Sequence, residues 1–406
     1  MKKCIYMFIL MALSINIYAE GYQVNVQGQK NTAMGHTGTG LLLGTSSIHF
    51  NPGALGFMQK ELEFSFGGTA VFSKVSYSKT GSNYQAETES PVGTPFYAYA
   101  AKKLNKKMVL GIGITTPYGN SLTWNDDWAG RYLIQNISLS AFIVQPTFSY
   151  KVSDNFGIGL GAMAVFGAVD LSRALPVEGT QSGQVNMEGS TMAIGFNAGV
   201  FFQASGNLSL GLNYRSKVIM KMEGGEADFT VPSSLGGYFP AKNKFDAELP
   251  LPANLTLGVG YMPNDKLTLA ADLQYVFWDA YKELFFDFET NTALLADSSN
   301  PRNYENTLIY RLGAEFKQSK KLTLRAGVYF DESPISEDYL NPETPGMNKV
   351  GMSTGGTYML NKKLALDISL LFIAGLEREA RYVPANFGGT YNSQAFLPGM
   401  GLTYSF

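Results

Sequence analysis

Side chains capable of covalent or metal chemistry are few in this chain and do not converge. His36 and His49 are its only histidines, with no cysteine and no tight carboxylate cluster beside them in sequence. That pattern argues against a metal site. No Ser/His/Asp arrangement, phosphate-binding glycine loop or strand-end pair of carboxylates is recognisable, so neither an enzyme nor a cofactor is expected. Gly111-x-Gly113 is strand composition. What remains is recognition by shape, apolar surface and backbone. Val109–Asn120 reads as a strand yet contains Pro117, which cannot donate to a ladder. Thr115, Thr116, Pro117, Tyr118 and Gly119 therefore form either a kink in that strand or the start of a loop. The following run holds Leu122, Trp124, Trp128, Tyr132, Leu133 and Ile134. It suits either the capture of an apolar ligand or an aromatic girdle at a membrane surface.

The elements that position these residues repeat along the chain. Tight polar turns occur at Lys102–Lys107, Val152–Asn155, Ala204–Asn207, Met262–Asp265, Lys317–Lys321 and Leu360–Lys363. Each joins two runs of alternating apolar and polar residues, and the connections in between are long, mostly about 12 to 30 residues. The longest run roughly from Lys221 to Leu249 and from Asp279 to Asn306. Short turns at one end and long loops at the other are the signature of an outer-membrane barrel. In Leu267–Phe277, Leu267, Leu269, Ala271, Leu273, Tyr275 and Phe277 share one face, and Asp272 lies on the other. A charge facing lipid costs up to about 2–4 kcal/mol at mid-depth, so Asp272 is expected in the lumen. By the same reasoning Arg325 and Asp367 point inward. Two strands per turn, plus Glu61–Ser73 and Ala395–Phe406, give about fourteen strands.

Composition agrees. With 31 Lys+Arg against 33 Asp+Glu there is no basic excess to suggest nucleic acid. Only 16% of residues are charged, below the roughly 25% of soluble domains. Beyond the first residues no apolar run reaches the roughly twenty needed for a membrane helix. Lys2, Lys3, the apolar run Ile5–Leu13 and Asn16-Ile17-Tyr18-Ala19 read as an export signal over residues 1–19 that carries Cys4 away with it. The terminal Phe406 on an amphipathic strand resembles the signal read by bacterial barrel-assembly machinery. The expected location is the bacterial outer membrane.

Residues 20–60 precede the first strand and are small, Gly/Ser/Thr-rich and poor in charge. A barrel this wide has a lumen that wall side chains need not fill, and this stretch is the candidate hatch, with the barrel spanning residues 61–406. Here Gly21-Tyr22-Gln23, Gly35-His36-Thr37-Gly38-Thr39-Gly40 and Asn51-Pro52-Gly53-Ala54-Leu55 together resemble the N-terminal hatch of the FadL/TodX family of outer-membrane transporters. Further blocks follow in family order: Trp128-Ala129-Gly130-Arg131-Tyr132, Asn213-Tyr214-Arg215-Ser216, Leu249-Pro250, Tyr310-Arg311-Leu312-Gly313 and Phe330-Asp331-Glu332-Ser333-Pro334.

The resemblance implies an all-β fold, a transmembrane antiparallel β-barrel of about 14 strands whose lumen is plugged by a small N-terminal hatch. It implies passive uptake of hydrophobic small molecules, most simply long-chain fatty acids, caught by extracellular loops and held in a lumenal pocket. Release would be lateral, through a kink in the third strand over Thr115–Asn120. Asn51 and Pro52 would touch that kink, the Asn amide bonding backbone groups that a kink leaves free. Gly53 departs from the family's alanine and would loosen that contact. Arg173, by its offset from Gly159-Leu160-Gly161, and Arg302, by its offset from Tyr310, match basic ligand-binding positions. Tyr22 matches an aromatic that reaches the inner pocket. Trp124 and Trp128 are candidates for the outer capture surface.

The implied partners are the hydrophobic ligand, outer-membrane lipid and lipopolysaccharide, and the barrel-assembly machinery, around a monomer. The residues leave the ligand open among fatty acids, aromatic hydrocarbons and other lipids. A structural or adhesive barrel and a general porin are the alternative readings; the former predicts larger, polar loops and the latter an open, charged lumen.

Overall fold

Alternating strands joined by tight turns must pair with their sequence neighbours, and here they close on themselves. The computed structural model describes residues 22–177 and 183–406. The expected export signal and Cys4 lie outside the described residues. Twenty hydrogen-bonded segments join end to end into a closed antiparallel barrel of 14 strands. The first seven strands are β1 (Leu62–Thr69, continued by Phe72–Lys79), β2 (Gln85–Glu87 and Phe96–Lys103), β3 (Met108–Thr123), β4 (Asn136–Lys151), β5 (Phe156–Leu175), β6 (Gly183–Ser205) and β7 (Leu208–Arg215 and Val218–Thr230). The other seven are β8 (Lys242–Leu251 and Asn254–Asn264), β9 (Leu267–Val276 and Glu283–Phe288), β10 (Ser298–Pro301 and Thr307–Lys317), β11 (Leu322–Asp331), β12 (Lys349–Met359), β13 (Leu364–Tyr382) and β14 (Phe387–Ser405). Closure comes from β1 against β14, in register from Glu63↔Ser405 to Thr69↔Gly399.

The turns form for a local reason. The Asn105 side chain accepts from the backbone N–H groups of Lys107 (2.9 Å) and Met108 (3.0 Å). Asn264 and Asn361 repeat the arrangement in their own turns. An Asn that bonds its own backbone two residues on fixes the reversal and the register with it. The facing rule also holds: Leu269, Leu273, Leu324 and Ile368 are exposed on the outer surface, whereas Asp272, Arg325 and Asp367 are buried.

The strands extend further than the alternation alone indicates. The expected loop from Lys221 to Leu249 is largely ladder, with β7 and β8 paired from Val218↔Leu251 to Asp228↔Lys242. The expected loop from Asp279 to Asn306 likewise contains paired strand, Glu283↔Pro301 to Phe286↔Ser298. Charge on the outer face of these extensions, such as the Lys221–Glu248 ion pair at 2.7 Å, removes the apolar alternation by which a lipid-facing strand is recognised.

Residues 22–60 pack inside the barrel with three one-turn helices, α1 (Gln29–Thr32), α2 (Ser47–Phe50) and α3 (Pro52–Leu55). Short helices leave many backbone groups open, and inward polar side chains from around the wall satisfy them. Asp272 Oδ2 accepts from the N–H groups of Gly38 (2.9 Å) and Thr39 (3.0 Å). Ser353 Oγ accepts from Gly35 N–H at 3.0 Å. Ser209, Gln145 and Ser149 donate to the carbonyls of Gly40, Ile48 and Pro52, each at 2.6 Å. Such pairing is what keeps polar groups buried without penalty.

Candidate functional site

The wall is interrupted where the third strand carries its proline. β2 and β3 pair only as far as Tyr97↔Thr115. Beyond that point β3 shifts register between Thr115 and Tyr118 and continues to Thr123 paired with β4 alone. Pro117 therefore sits within the strand, in a bulge, and does not begin a loop. The β2 segment that should cover this edge turns instead to β1, where Val71 and Gly93 exchange backbone bonds at 2.8 and 3.1 Å. The Thr116 hydroxyl, bonded to Phe96 N–H at 3.0 Å, closes one end of the gap. At the other end Glu89 N–H reaches Thr123 O at 2.8 Å. Between them the open backbone of β3 is taken by the N-terminal segment: Val24 N–H donates to Pro117 O (2.9 Å) and Gly119 N–H to Tyr22 O (3.0 Å). Residues 22–24 are in effect a short extra strand laid over the gap from inside, with Gln23 opposite Tyr118.

Asn51, Pro52 and Gly53 do not touch this bulge, which corrects the expectation from the resemblance. The Asn51 amide donates to Thr39 O (2.8 Å) and Val200 O (2.9 Å), and its Oδ1 accepts from Gly53 N–H at 3.0 Å, capping α3. Pro52 and Gly53 lie against Gly157, Gly159 and Gly199 of β5 and β6. Gly53 also does not loosen the contact. A Cβ there would stand 2.8 Å from Gly199 O and 3.0 Å from Gly157 O, so glycine lets the backbone seat more closely on the wall.

Next to residues 22–24 is an apolar cavity lined chiefly by Leu139, Met187, Phe245 and Leu284, with Tyr22 and Glu343. Tyr22 is fully buried. Its hydroxyl donates to Pro250 O and its ring meets Trp278 edge-on at 5.1 Å. Trp124 and Trp128 are neither an exposed capture surface nor a girdle. They stack at 4.2 Å, are buried, and donate to Pro342 O (3.3 Å) and Ile134 O (2.7 Å). Leu122 and Ile134 are buried with them and Tyr132 is exposed. Trp124 lies against the β11–β12 connection, residues 332–348, through its bond to Pro342, and Trp128 packs among Trp124, Tyr77 and Phe387.

That connection also changes the reading of the arginines. Arg302 is buried and forms an ion pair with Glu343. Burial works against its charge, but Glu343 and the surrounding tyrosines outweigh that and hold the guanidinium above its ordinary range. Arg173 feels the same Glu343 and Tyr382 electrostatically, and among the described residues its Nε has no hydrogen-bond partner. The two positions are thus brought together, yet around a carboxylate of the chain itself. Glu343 lines the cavity and neither arginine does. Nothing in Asn341-Pro342-Glu343 announces this role, since its partners are distant in sequence. Gln23 and Val24, which cover the gap, also carry no sequence signal beyond their closeness to Tyr22.

The match to known proteins covers almost the whole chain. Residues 10–406 fit the model of the family described as outer membrane protein transport protein (OMPP1/FadL/TodX). The long-chain fatty acid transport protein of Escherichia coli K12 is 21% identical over 437 residues, covering 97% of this chain and 96% of its own. The crystal structure of a Pseudomonas aeruginosa FadL homologue shares the fold with a TM-score of 0.85 at 19% identity, covering 95% of this chain and 100% of that one. That of the Ralstonia pickettii toluene transporter TbuX does so with a TM-score of 0.74 at 20% identity, covering 96% and 99%. The chain belongs to the OMPP1/FadL/TodX family, whose members are outer-membrane transporters of hydrophobic compounds.

Proposed function

We propose that this protein takes up long-chain fatty acids passively, holds them in the apolar cavity beside Tyr22, and releases them sideways into the bilayer between β2 and β3. The observation that carries this reading is the open edge of β3 at Thr116–Gly119, covered from inside by residues 22–24, with the Gln27 amide on Thr116 O at 3.5 Å. In a closed barrel every ladder bond is ordinarily made. An edge completed by a detachable peptide, next to an apolar cavity, is a gate. Residues 20–60 act as the hatch, and withdrawal of their first few residues opens the route. An acyl chain gains about 0.8 kcal/mol per CH₂ on leaving water, so no energy source is needed once the polar surface layer is crossed.

Aromatic hydrocarbons are the second reading. Glu343 favours it, because it lines the cavity while neither arginine does and its ion pair takes up the Arg302 cation that an acid would need and a neutral ring would not. Mass spectrometry of ligand retained by gently purified protein separates the two.

The gate is tested by a Gln23→Cys/Tyr118→Cys double variant. Their antiparallel bridge is of the kind without direct hydrogen bonds, in which Cα atoms lie about 4.5 Å apart, within disulfide range. Oxidation is expected to stop transfer of a fluorescent fatty acid into the lipid of proteoliposomes while loading of the cavity persists, and a reductant is expected to restore transfer. Undiminished transfer in the fully cross-linked protein removes the lateral route.

A further inference from the structure

Tyr118 separates two kinds of space. On one side a small apolar cavity, lined in part by Leu139, Met222 and Leu249, shares those residues with the larger apolar cavity. On the other is a polar chamber. Pro117 of the bulge lines it, as do Asn213, Arg215, Asp272 and Arg311. Both arginines belong to sequence blocks, Asn213-Tyr214-Arg215-Ser216 and Tyr310-Arg311-Leu312-Gly313, for which neither the gate nor the apolar cavity has a use.

We propose that this chamber is a binding site for the carboxylate head group of an acidic amphiphile, with Arg215 and Arg311 as its cations. The inference rests on the reading of the protein as a transporter of such compounds. Arg215 donates only to neutral acceptors, His49 O and Gln145 Oε1, both at 3.1 Å, and Met163 Sδ at 3.2 Å. Arg311 donates to Gln274 Oε1 (2.7 Å) and Asn25 Oδ1 (3.3 Å), and its Nε has no partner among the described residues. Among the described residues neither guanidinium forms an ion pair, although both are buried. Asp272 is the one carboxylate lining the chamber, and its Oδ2 is committed to Gly38 and Thr39.

The histidines add no charge at neutral pH. Burial pushes both His36 and His49 below the usual imidazole range, and nearby arginines push the same way. The two guanidinium charges are therefore offset by one carboxylate, and a buried charge without compensation is costly. An incoming carboxylate supplies the missing charge. Asp272 Oδ1 and Asn213 Oδ1 lack donors, so the head group enters with water that fills these sites. The apolar cavity offers it less, because Glu343 lines it and neither Arg173 nor Arg302 does, and Arg302 is already paired with Glu343. The acid thus extends its charged end past Tyr118 toward the bulge while its tail remains among the apolar side chains.

The test compares binding of oleate with that of methyl oleate to the detergent-purified full chain and to its Arg215→Gln, Arg311→Gln and Arg215→Lys variants. Loss of one charge-assisted contact is expected to lower the oleate-to-ester affinity ratio about tenfold in each glutamine variant. Arg215→Lys is expected to recover much of the ratio. A ratio that stays at the native value, or equal losses for acid and ester, overturns the proposal while leaving the transport reading intact. Failure of the native chain to bind either compound overturns both. Should the glutamine variants not fold, judged by heat-dependent gel mobility, diffraction from native crystals soaked with a bromine-labelled alkanoate decides. A carboxylate resolved beside Arg215 and Arg311 supports the site, and a carboxylate resolved beside Arg173 instead overturns it.

Discussion

A Gly211→Val variant is expected to turn a closed lumen into a conducting one. Gly211 faces inward on β7, and any Cβ there would stand 1.8 Å from Thr39 O and 2.7 Å from Asn51 Nδ2. Backbone cannot yield by that much while the neighbouring contacts hold. Asp272 anchors Gly38 and Thr39, Ser209 anchors Gly40, and Asn51 ties Thr39 to β6. Overpacking alone costs about 1–3 kcal/mol, and each buried bond to the charged Asp272 is worth about 1.5–3 kcal/mol. A combined cost of at least about 3 kcal/mol raises the undocked population more than roughly a hundredfold. Apart from the Thr116–Gly119 edge, the barrel ladder pairs strand to strand, so the variant should still assemble and show native heat-dependent gel mobility. Planar-bilayer recordings should then reveal steady conductance that the native chain lacks. Native-like closure in a folded variant would mean that the lumenal segment does not rely on this seat.

The second large effect is expected at Arg302. Arg302→Ala leaves Glu343 buried without its partner, a change that typically costs about 3–5 kcal/mol. The loss should fall on the connection 332–348, whose Ile335, Leu340 and Met347 are buried, and should reach Trp124 through its bond to Pro342. Hydrogen exchange at residues 332–348 should rise steeply while that of the β11 and β12 ladder is unchanged. Arg302→Met combined with Glu343→Leu removes both charges and should recover most of the protection. If the single and double variants behave alike, the ion pair is not what holds the connection inside.

Features of the wall are legible in the residues themselves wherever their cause is local. Each short turn is fixed by residues within it, such as Asn105 bonding Lys107 and Met108, so its position is visible in the chain. The inward placement of Asp272, Arg325 and Asp367 follows from the cost of exposing charge to lipid. Where outer-face charge disguises the alternation, as at Lys221 and Glu248, paired strand reads as loop. Pro117 marks the irregular strand, but a proline cannot say whether a strand bends or ends. The register shift after Thr115 decides that.

Contacts inside the lumen obey no such local rule. Asn51-Pro52-Gly53 is a recognisable motif, yet it lies on β5 and β6 and not at the bulge. Trp124 and Trp128 look like surface aromatics in sequence and are buried, Trp124 against Pro342, 218 residues away, and Trp128 against Phe387. Arg302 looks like a free cation until Glu343 folds against it.

The strands, their number, their inward and outward faces and the compartment are all written in the residue pattern, because hairpin pairing and the lipid penalty act between near neighbours. What fills the barrel is settled only by the closed fold: Tyr22 bonded to Pro250, Gly35 to Ser353, and residues 22–24 laid across the gap in β3. Those partners meet only once the wall closes, and closure brings together residues that no sequence period relates.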